Sequence, residues 1–160
     1  MDKSSKGFSL IELLIVVAII LIIAAIAIPN LLRSRIAANQ ASAVGSLRTL
    51  NTAEVTYSST FNVGFSVDMA SLAPPSGTAN PTSTAAGLID SVLALGSKSG
   101  YSFTYSPGAS DSTGRLNTYS ITAVPITSST GTNFYYTDQS GVIRQNSTTT
   151  AAASDSPIAG

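Results

Sequence analysis

The feature that most constrains this chain is an uncharged apolar run that starts just after Glu12 and stops just before Arg33. The run has twenty residues. Because an α-helix rises about 1.5 Å per residue, a helix of this length spans about 30 Å. That distance matches the hydrocarbon core of a lipid bilayer. The run therefore predicts a membrane-spanning helix.

Glu12 stands at the edge of this run, four residues after Phe8. A charged side chain at the centre of a bilayer costs about 2.5 kcal/mol or more, and it costs less near a helix end. A carboxylate in this position therefore needs a function. A plain single-pass anchor explains the hydrophobic run, but it explains neither Glu12 nor the Gly7-Phe8 junction.

Several features coincide near the N terminus: a short basic leader, a Gly-Phe junction, a glutamate at a fixed offset, an apolar segment and a downstream proline. The residues that carry them are Met1-Asp2-Lys3-Ser4-Ser5-Lys6-Gly7, Phe8-Ser9-Leu10-Ile11-Glu12-Leu13-Leu14 and Ile26-Ala27-Ile28-Pro29-Asn30. In these features residues 1–35 resemble type IV pilins and the related pseudopilins of type II secretion.

The resemblance implies a processing pathway and a set of partners. A prepilin peptidase cleaves after Gly7, and the new N-terminal residue, Phe8, is methylated on its amine. Glu12 takes part in subunit docking by attracting the N-terminal amine of a neighbouring subunit. An assembly machine with its own ATPase extracts the subunits from the membrane into a helical homo-oligomer.

Physical reasoning supports the role of Glu12 independently. The amine of a cleaved Phe8 is a cation at the positive end of a helix dipole, so it is stabilised by a nearby anion. Glu12 lies one turn along the same helix face, and a glutamate of an adjacent helix can approach equally well. Desolvation offsets much of the attraction in a low dielectric, so we expect the pair to fix the register between subunits more than to add stability.

An ordinary secretory signal peptide is the other interpretation of this segment. Ala25-Ile26-Ala27 resembles its cleavage site, and cleavage there gives a secreted binding domain that begins at Ile28. Against it, the apolar run is longer than the usual 7 to 15 residues, and Glu12 interrupts its start.

The composition of the chain excludes several kinds of functional site. The chain has neither cysteine nor histidine, which excludes disulfides, thiolate metal sites and histidine-based catalysis. Its charges are few and balanced, so no basic surface indicates specific nucleic-acid binding. Lys3 and Lys6 predict a cytoplasmic leader, with the residues after Pro29 outside the bacterial inner membrane.

The helix is expected to continue beyond the apolar run, with a bend near Pro29 because proline lacks the backbone N–H of the helix ladder. An amphipathic stripe follows at three- and four-residue steps. It comprises Ile36, Ala43, Leu47, Leu50, Tyr57 and Phe61. Glu54 falls on this stripe, and we expect it at an edge or an interface.

The rest of the chain predicts a small head with an antiparallel meander. A long connection with a helical turn near residues 67–72 leads to a short helix over residues 88–95. The tail from Ser147 is expected to be loosely ordered, with Pro157 and Ile158 able to fix its end. Alternating residues and turn signals predict strands. These strands are residues 101–105, 118–124, 133–137 and 142–145.

No group of residues indicates catalysis, so we expect a protein that is not an enzyme. Major pseudopilins bind calcium in a C-terminal loop, and Asp138 with Asp155 is a candidate ligand pair by that resemblance. Turn formation is the preferred explanation of both aspartates. No other cofactor is expected.

The sequence as a whole predicts an α+β protein with a long N-terminal α-helix packed on a small antiparallel β-sheet head. Its parts are a leader (1–7), a membrane-spanning and filament-core helix (8–32), its amphipathic continuation (33–60) and a globular head (61–160). The expected function is that of a structural subunit of a type IV pilus-like filament, in the inner membrane before assembly and extracellular afterwards. The alternative is a major pseudopilin that forms a periplasmic filament.

Overall fold

The computed structural model describes residues 7–158 and contains one long helix, a small sheet and two short helical segments. Helix α1 (Leu10–Phe61) comes first, followed by a 3-10 turn (Ala70–Leu72) and helix α2 (Ser91–Ala94). The strands are β1 (Ser97–Lys98), β2 (Tyr101–Pro107), β3 (Tyr119–Pro125), β4 (Phe134–Asp138) and β5 (Arg144–Asn146). The α+β class and the long N-terminal helix are confirmed.

The chain divides into two units, one ending at Arg35 and one starting at Ile36. The N-terminal unit comprises the first half of α1 and the residues that precede this helix. Its large apolar side chains are exposed. Pro29 lies inside α1, and the helix continues on both sides of it. The expected bend at Pro29 stays a prediction.

The C-terminal unit is built around an antiparallel meander in the order β1-β2-β3-β4-β5. Its central pair joins β2 to β3 over seven residues, from Tyr101 opposite Pro125 to Pro107 opposite Tyr119. The four predicted strands are confirmed to within two residues at each end. Strand β1 was not expected, because two residues are too short to show an alternating pattern.

The core forms where the second half of α1 packs on one face of this sheet. Ala43, Leu47, Leu50 and Tyr57 of the predicted stripe are buried in one cluster with inward residues of the strands. Alternate residues of β2 and β3 supply the opposite side of the cluster, as expected for strands that have one covered face. These residues are Tyr101, Phe103, Tyr119, Ile121 and Ala123.

The expectation for Glu54 is wrong. Its side chain is fully buried rather than at an edge, where one carboxyl oxygen accepts from the Ser66 N–H and the other is in hydrogen-bonding contact with the Ser66 hydroxyl. Sequence periodicity identifies a helix face but does not show what the chain after the helix places against it. Here the loop after α1 folds back and supplies the polar partners that a buried carboxylate requires.

Helix α2 is shorter than predicted. The Asp90 carboxylate caps its start by accepting from the Leu93 N–H at 2.9 Å, so Leu88 and Ile89 precede the helix. The N–H groups of both these residues instead donate to the Leu72 carbonyl. Tertiary hydrogen bonds thus replaced the first turn of the predicted helix.

The tail is better fixed than the sequence indicated. The Ile158 N–H donates to the Ile143 carbonyl at 2.9 Å, and the Gln145 N–H donates to the Ser156 carbonyl at 3.0 Å. Ala151 is buried, and the Asp155 carboxylate accepts from Asn146 and from the Ala152 N–H. The predicted fixation by Pro157 and Ile158 is confirmed, and the expected looseness of the tail before them is wrong.

Candidate processing and assembly segment

The start of helix α1 is closed by a reciprocal cap between Ser9 and Glu12. The Ser9 N–H donates to Glu12 Oε2 at 2.9 Å, and the Ile11 N–H lies 3.4 Å from the Ser9 hydroxyl oxygen, which accepts from it. This arrangement follows the Ser-x-x-Glu capping box, in which two backbone donors at a helix start are satisfied together. The sequence reasoning above missed it, although a serine three residues before a glutamate and ahead of an apolar run is its usual signal.

The cap gives Glu12 a function within its own chain and leaves part of its carboxylate for other partners. Oε2 accepts from Ser9, whereas Oε1 has no donor among residues 7–158. A carboxylate has about four lone-pair sites, so one oxygen can cap the helix while the other accepts from a cation. Helix capping and subunit docking are therefore compatible in one residue.

The Gly7-Phe8 junction lies ahead of this cap and is accessible. Phe8 is 81% exposed. A Cβ atom placed on Gly7 meets no described atom within 4 Å, and the backbone of Gly7 does not have the positive φ that favours glycine. The described structure thus gives no internal reason for glycine at this position.

Beyond the cap, the first half of α1 has apolar side chains on all sides. Exposed apolar patches of soluble monomers rarely exceed a few hundred Å², and larger ones indicate contact with a membrane or with protein. α1 is the one described helix long and apolar enough to span a bilayer. The large exposed side chains are Leu10, Ile11, Leu13, Leu14, Ile15, Val16, Val17, Ile19, Ile20, Leu21, Ile22, Ile23, Ile26, Ile28, Leu31 and Leu32.

Asp138 and Asp155 lie at opposite ends of the β4–β5 pair. Asp138 ends β4, and its carboxylate accepts from the Ser140 N–H at 2.9 Å. Asp155 contacts Asn146, which pairs with Phe134 at the other end of β4. Phe134 and Asp138 are four residue steps apart, about 13 Å at 3.3 Å per step. The structure does not bring the two candidate calcium ligands together.

No cluster of three or more histidine, cysteine, aspartate or glutamate side chains occurs within residues 7–158. The aspartates engage instead in local turns, as Asp111 does by accepting from the backbone and hydroxyl of Thr113. The same hydrogen bonds, with one from Asn117, hold the pKa of the Asp111 carboxyl well below its usual range. Such turns explain acidic residues in loops without a ligand.

Comparison with known proteins matches the N-terminal segment. Residues 2–28 match the family model of the prokaryotic N-terminal methylation motif. The type IV wide pilus major component PilA4 of Thermus thermophilus is 65% identical over 37 residues, which are 23% of this chain and 28% of that protein. The type IV major pilin protein PilA of Myxococcus xanthus is 49% identical over 56 residues, 35% of this chain and 26% of that protein.

The matched part spans little more than a quarter of these curated relatives. No solved structure matches the chain significantly. The family-model match, residues 2–28, includes the Ser9–Glu12 cap and most of the apolar run.

Proposed function

We propose that this chain is the structural subunit of an extracellular pilus-like filament, because its N-terminal segment is similar to that of type IV pilins. A prepilin peptidase cleaves it after Gly7, and the chain polymerises through residues 8–32. The observation that carries the proposal is the exposed apolar first half of α1. Glu12 caps the start of this helix, directly after an accessible Gly7-Phe8 junction.

The exposed apolar surface requires one of two environments. In the lipid bilayer its side chains contact acyl chains, and in a filament they contact the same segments of other subunits. Burial of apolar surface from water is worth about 25 cal/mol per Å². Both environments remove the segment from water, so transfer between them is possible when an external machine does the work of extraction.

Cleavage creates the cation that Glu12 attracts. Hydrolysis of the Gly7-Phe8 bond leaves a carboxylate on Gly7 and an ammonium group on Phe8. The Ser9 N–H lies beyond the cut, so its bond to Glu12 Oε2 survives. The free oxygen, Oε1, then accepts from the Phe8 ammonium group of a neighbouring subunit. The neighbour's position along the filament is set by this contact.

Mass spectrometry of the mature N terminus tests the processing step. We expect a chain that begins at Phe8 and carries one methyl group on its amine. A mature chain that begins at Ile28 would support a secreted domain, and an uncut chain would support a plain anchor. Either result would overturn the proposal.

A Gly7→Val variant tests whether glycine is required for cleavage by the peptidase and not for folding. Since a Cβ on Gly7 meets nothing among the described residues, we expect unchanged secondary structure by circular dichroism. We also expect uncleaved chains to accumulate in the membrane fraction. A matched Ser5→Val variant, two residues earlier in the leader, should be processed at nearly the normal rate.

The destination of the filament is tested by shearing cells and identifying this chain in the released fibres. Both matched relatives are components of pili, which favours an external filament over a periplasmic pseudopilus. A chain that is processed but is found only in periplasmic filaments would instead support the pseudopilin alternative.

A further inference from the structure

Glu54 is a buried carboxyl group that the filament proposal does not use. It lies on the second half of α1 with no exposed surface, and Ser66, in the loop after α1, is equally buried. Glu54 Oε2 accepts from the Ser66 N–H at 2.9 Å, and Oε1 is in close contact with the Ser66 hydroxyl. The side chain therefore joins the helix to the loop that leaves it.

The hydroxyl of Ser66 has two oxygen neighbours but only one proton to donate. Besides Glu54 Oε1, it lies 3.0 Å from the backbone carbonyl oxygen of Asp68, which can only accept. If Glu54 is ionised, both neighbours are acceptors, and one contact lacks a proton. If Glu54 is protonated on Oε1, it donates to Ser66 Oγ, which then donates to Asp68. Only the protonated form satisfies all three contacts.

The electrostatic surroundings also favour the neutral form. The titratable groups around Glu54 are Tyr57 on the same helix, Asp68 in the loop, Tyr105 on β2 and Tyr119 on β3. None of them can carry a positive charge, and within residues 7–158 no lysine or arginine forms an ion pair with Glu54. Burial raises the pKa of Glu54, and the hydrogen bonds with Ser66 offset only part of this effect.

Ser66 connects this carboxyl group to the sheet. The Tyr105 hydroxyl donates to the Ser66 carbonyl oxygen at 2.8 Å, so both backbone polar groups of Ser66 are bonded to other elements. One residue earlier, the Phe65 N–H donates to the Leu116 carbonyl at 2.7 Å. The loop is thus held between α1 and β2 at Ser66.

We propose that Glu54, as a neutral carboxylic acid, and Ser66 form a pH-sensitive clasp that holds the loop after α1 against the helix. The clasp is closed while Glu54 is protonated, and it weakens when that proton is lost. The inference concerns the C-terminal unit alone and does not depend on the filament proposal.

The sign of the pH dependence follows from linkage. A raised pKa in the folded state means that the folded chain holds this proton more tightly than the unfolded chain does. The stabilisation is complete below 4.5, the ordinary pKa of glutamate, and it is lost as the pH rises through the folded-state pKa. Between these two values the contribution of Glu54 to the folding equilibrium constant falls up to about tenfold per pH unit.

The direct test is an NMR titration of the full chain in detergent micelles, labelled with ¹³C at the glutamate side-chain carboxyls. The chain has two glutamates, so a Glu12→Gln background leaves the Glu54 signal alone. We expect Glu54 to titrate above 4.5, the ordinary glutamate value. Titration at or below that value would overturn the proposal. This measurement does not depend on whether variants of Glu54 fold.

A second test compares unfolding in urea, followed by near-UV circular dichroism of the tyrosines, across the same pH range. In Glu54→Gln the amide donates to Ser66 Oγ and accepts from the Ser66 N–H, as the protonated acid does. We expect its stability to equal that of the unsubstituted chain at low pH and to exceed it at higher pH. Glu12→Gln is the matched control. Equal pH dependence in the unsubstituted chain and Glu54→Gln would refute the clasp.

Discussion

At the scale of single residues, the two glutamates of this chain illustrate two different uses of a carboxylate. Glu12 caps a helix that is otherwise apolar, and it keeps one oxygen without a donor among the described residues. Glu54 is fully buried, and the N–H and the hydroxyl of Ser66 each contact one of its carboxyl oxygens. Burial penalises the charged form of a carboxyl group, so Glu54 is stable in the core only with hydrogen-bond partners or a proton.

A Glu12→Gln variant distinguishes the role of Glu12 in capping the helix from its proposed role in subunit docking. The amide oxygen of glutamine still accepts from the Ser9 N–H, so we expect normal helix content by circular dichroism. The negative charge that attracts the Phe8 ammonium group is lost, and we expect filament yield to fall at least tenfold in sheared fractions.

Ser9→Ala is the matched control for this experiment. It removes the hydroxyl that accepts from the Ile11 N–H and weakens the helix start by about 1 kcal/mol, without changing any charge. We therefore expect filaments at close to normal yield. Normal assembly of Glu12→Gln would show that the charge has no role in docking.

At the scale of elements, α1 serves two purposes along its length. Its first half is apolar on all sides and exposed, whereas its second half buries one stripe against the sheet. Most helical stability in proteins comes from tertiary packing of such a stripe, and intrinsic propensity contributes less. The second half therefore depends on β2 and β3, and the sheet depends equally on it.

Leu50→Ala tests this packing. Leu50 is fully buried between α1 and the sheet, and large-to-small substitutions at such sites cost about 2–5 kcal/mol. Val55→Ala, on the same helix at a position that is 64% exposed, should cost less than about 0.5 kcal/mol. Urea unfolding followed by the tyrosine signal measures both. Equal losses in the two variants would contradict the core assignment.

At the scale of the whole molecule, the described structure consists of two units with different requirements. The C-terminal unit contains the entire core cluster, from Ala43 to Ile143. None of the described residues of the N-terminal unit is buried, and their large apolar side chains are exposed. The packed core and the exposed apolar half of α1 therefore lie in separate stretches of one chain.

We expect a chain that contains only the second unit, Ile36–Gly160, to fold without detergent. Its near-UV circular dichroism should match that of the full chain, because every core tyrosine and its contacts lie in this unit. Analytical ultracentrifugation should show a monomer, since the segment that drives assembly is absent. An unfolded or aggregated product would show that the core needs residues before Ile36.

The sequence alone determined the membrane-length helix, the α+β class and four of the five strands. These features follow from local patterns: an uncharged run, a helical stripe, alternation along strands and turn residues between them. The same local information contained the Ser9–Glu12 cap, which only the geometry brought to notice. Alternation along a strand places neighbours such as Tyr135 and Tyr136 on opposite faces of β4, and the structure buries Tyr135 and leaves Tyr136 partly exposed.

Only the tertiary structure decided the environment of Glu54, the start of α2 at Ser91 and the partners that hold the tail along β5. Each depends on residues distant in sequence: Ser66 beside Glu54, the Leu72 carbonyl before α2, and Ile143 opposite Ile158. Periodicity reports which side of an element is apolar, but the identity of the partner across a contact is set by how the chain folds back. For that reason the long helix could be predicted from the sequence, whereas the contact between Glu54 and Ser66 could not.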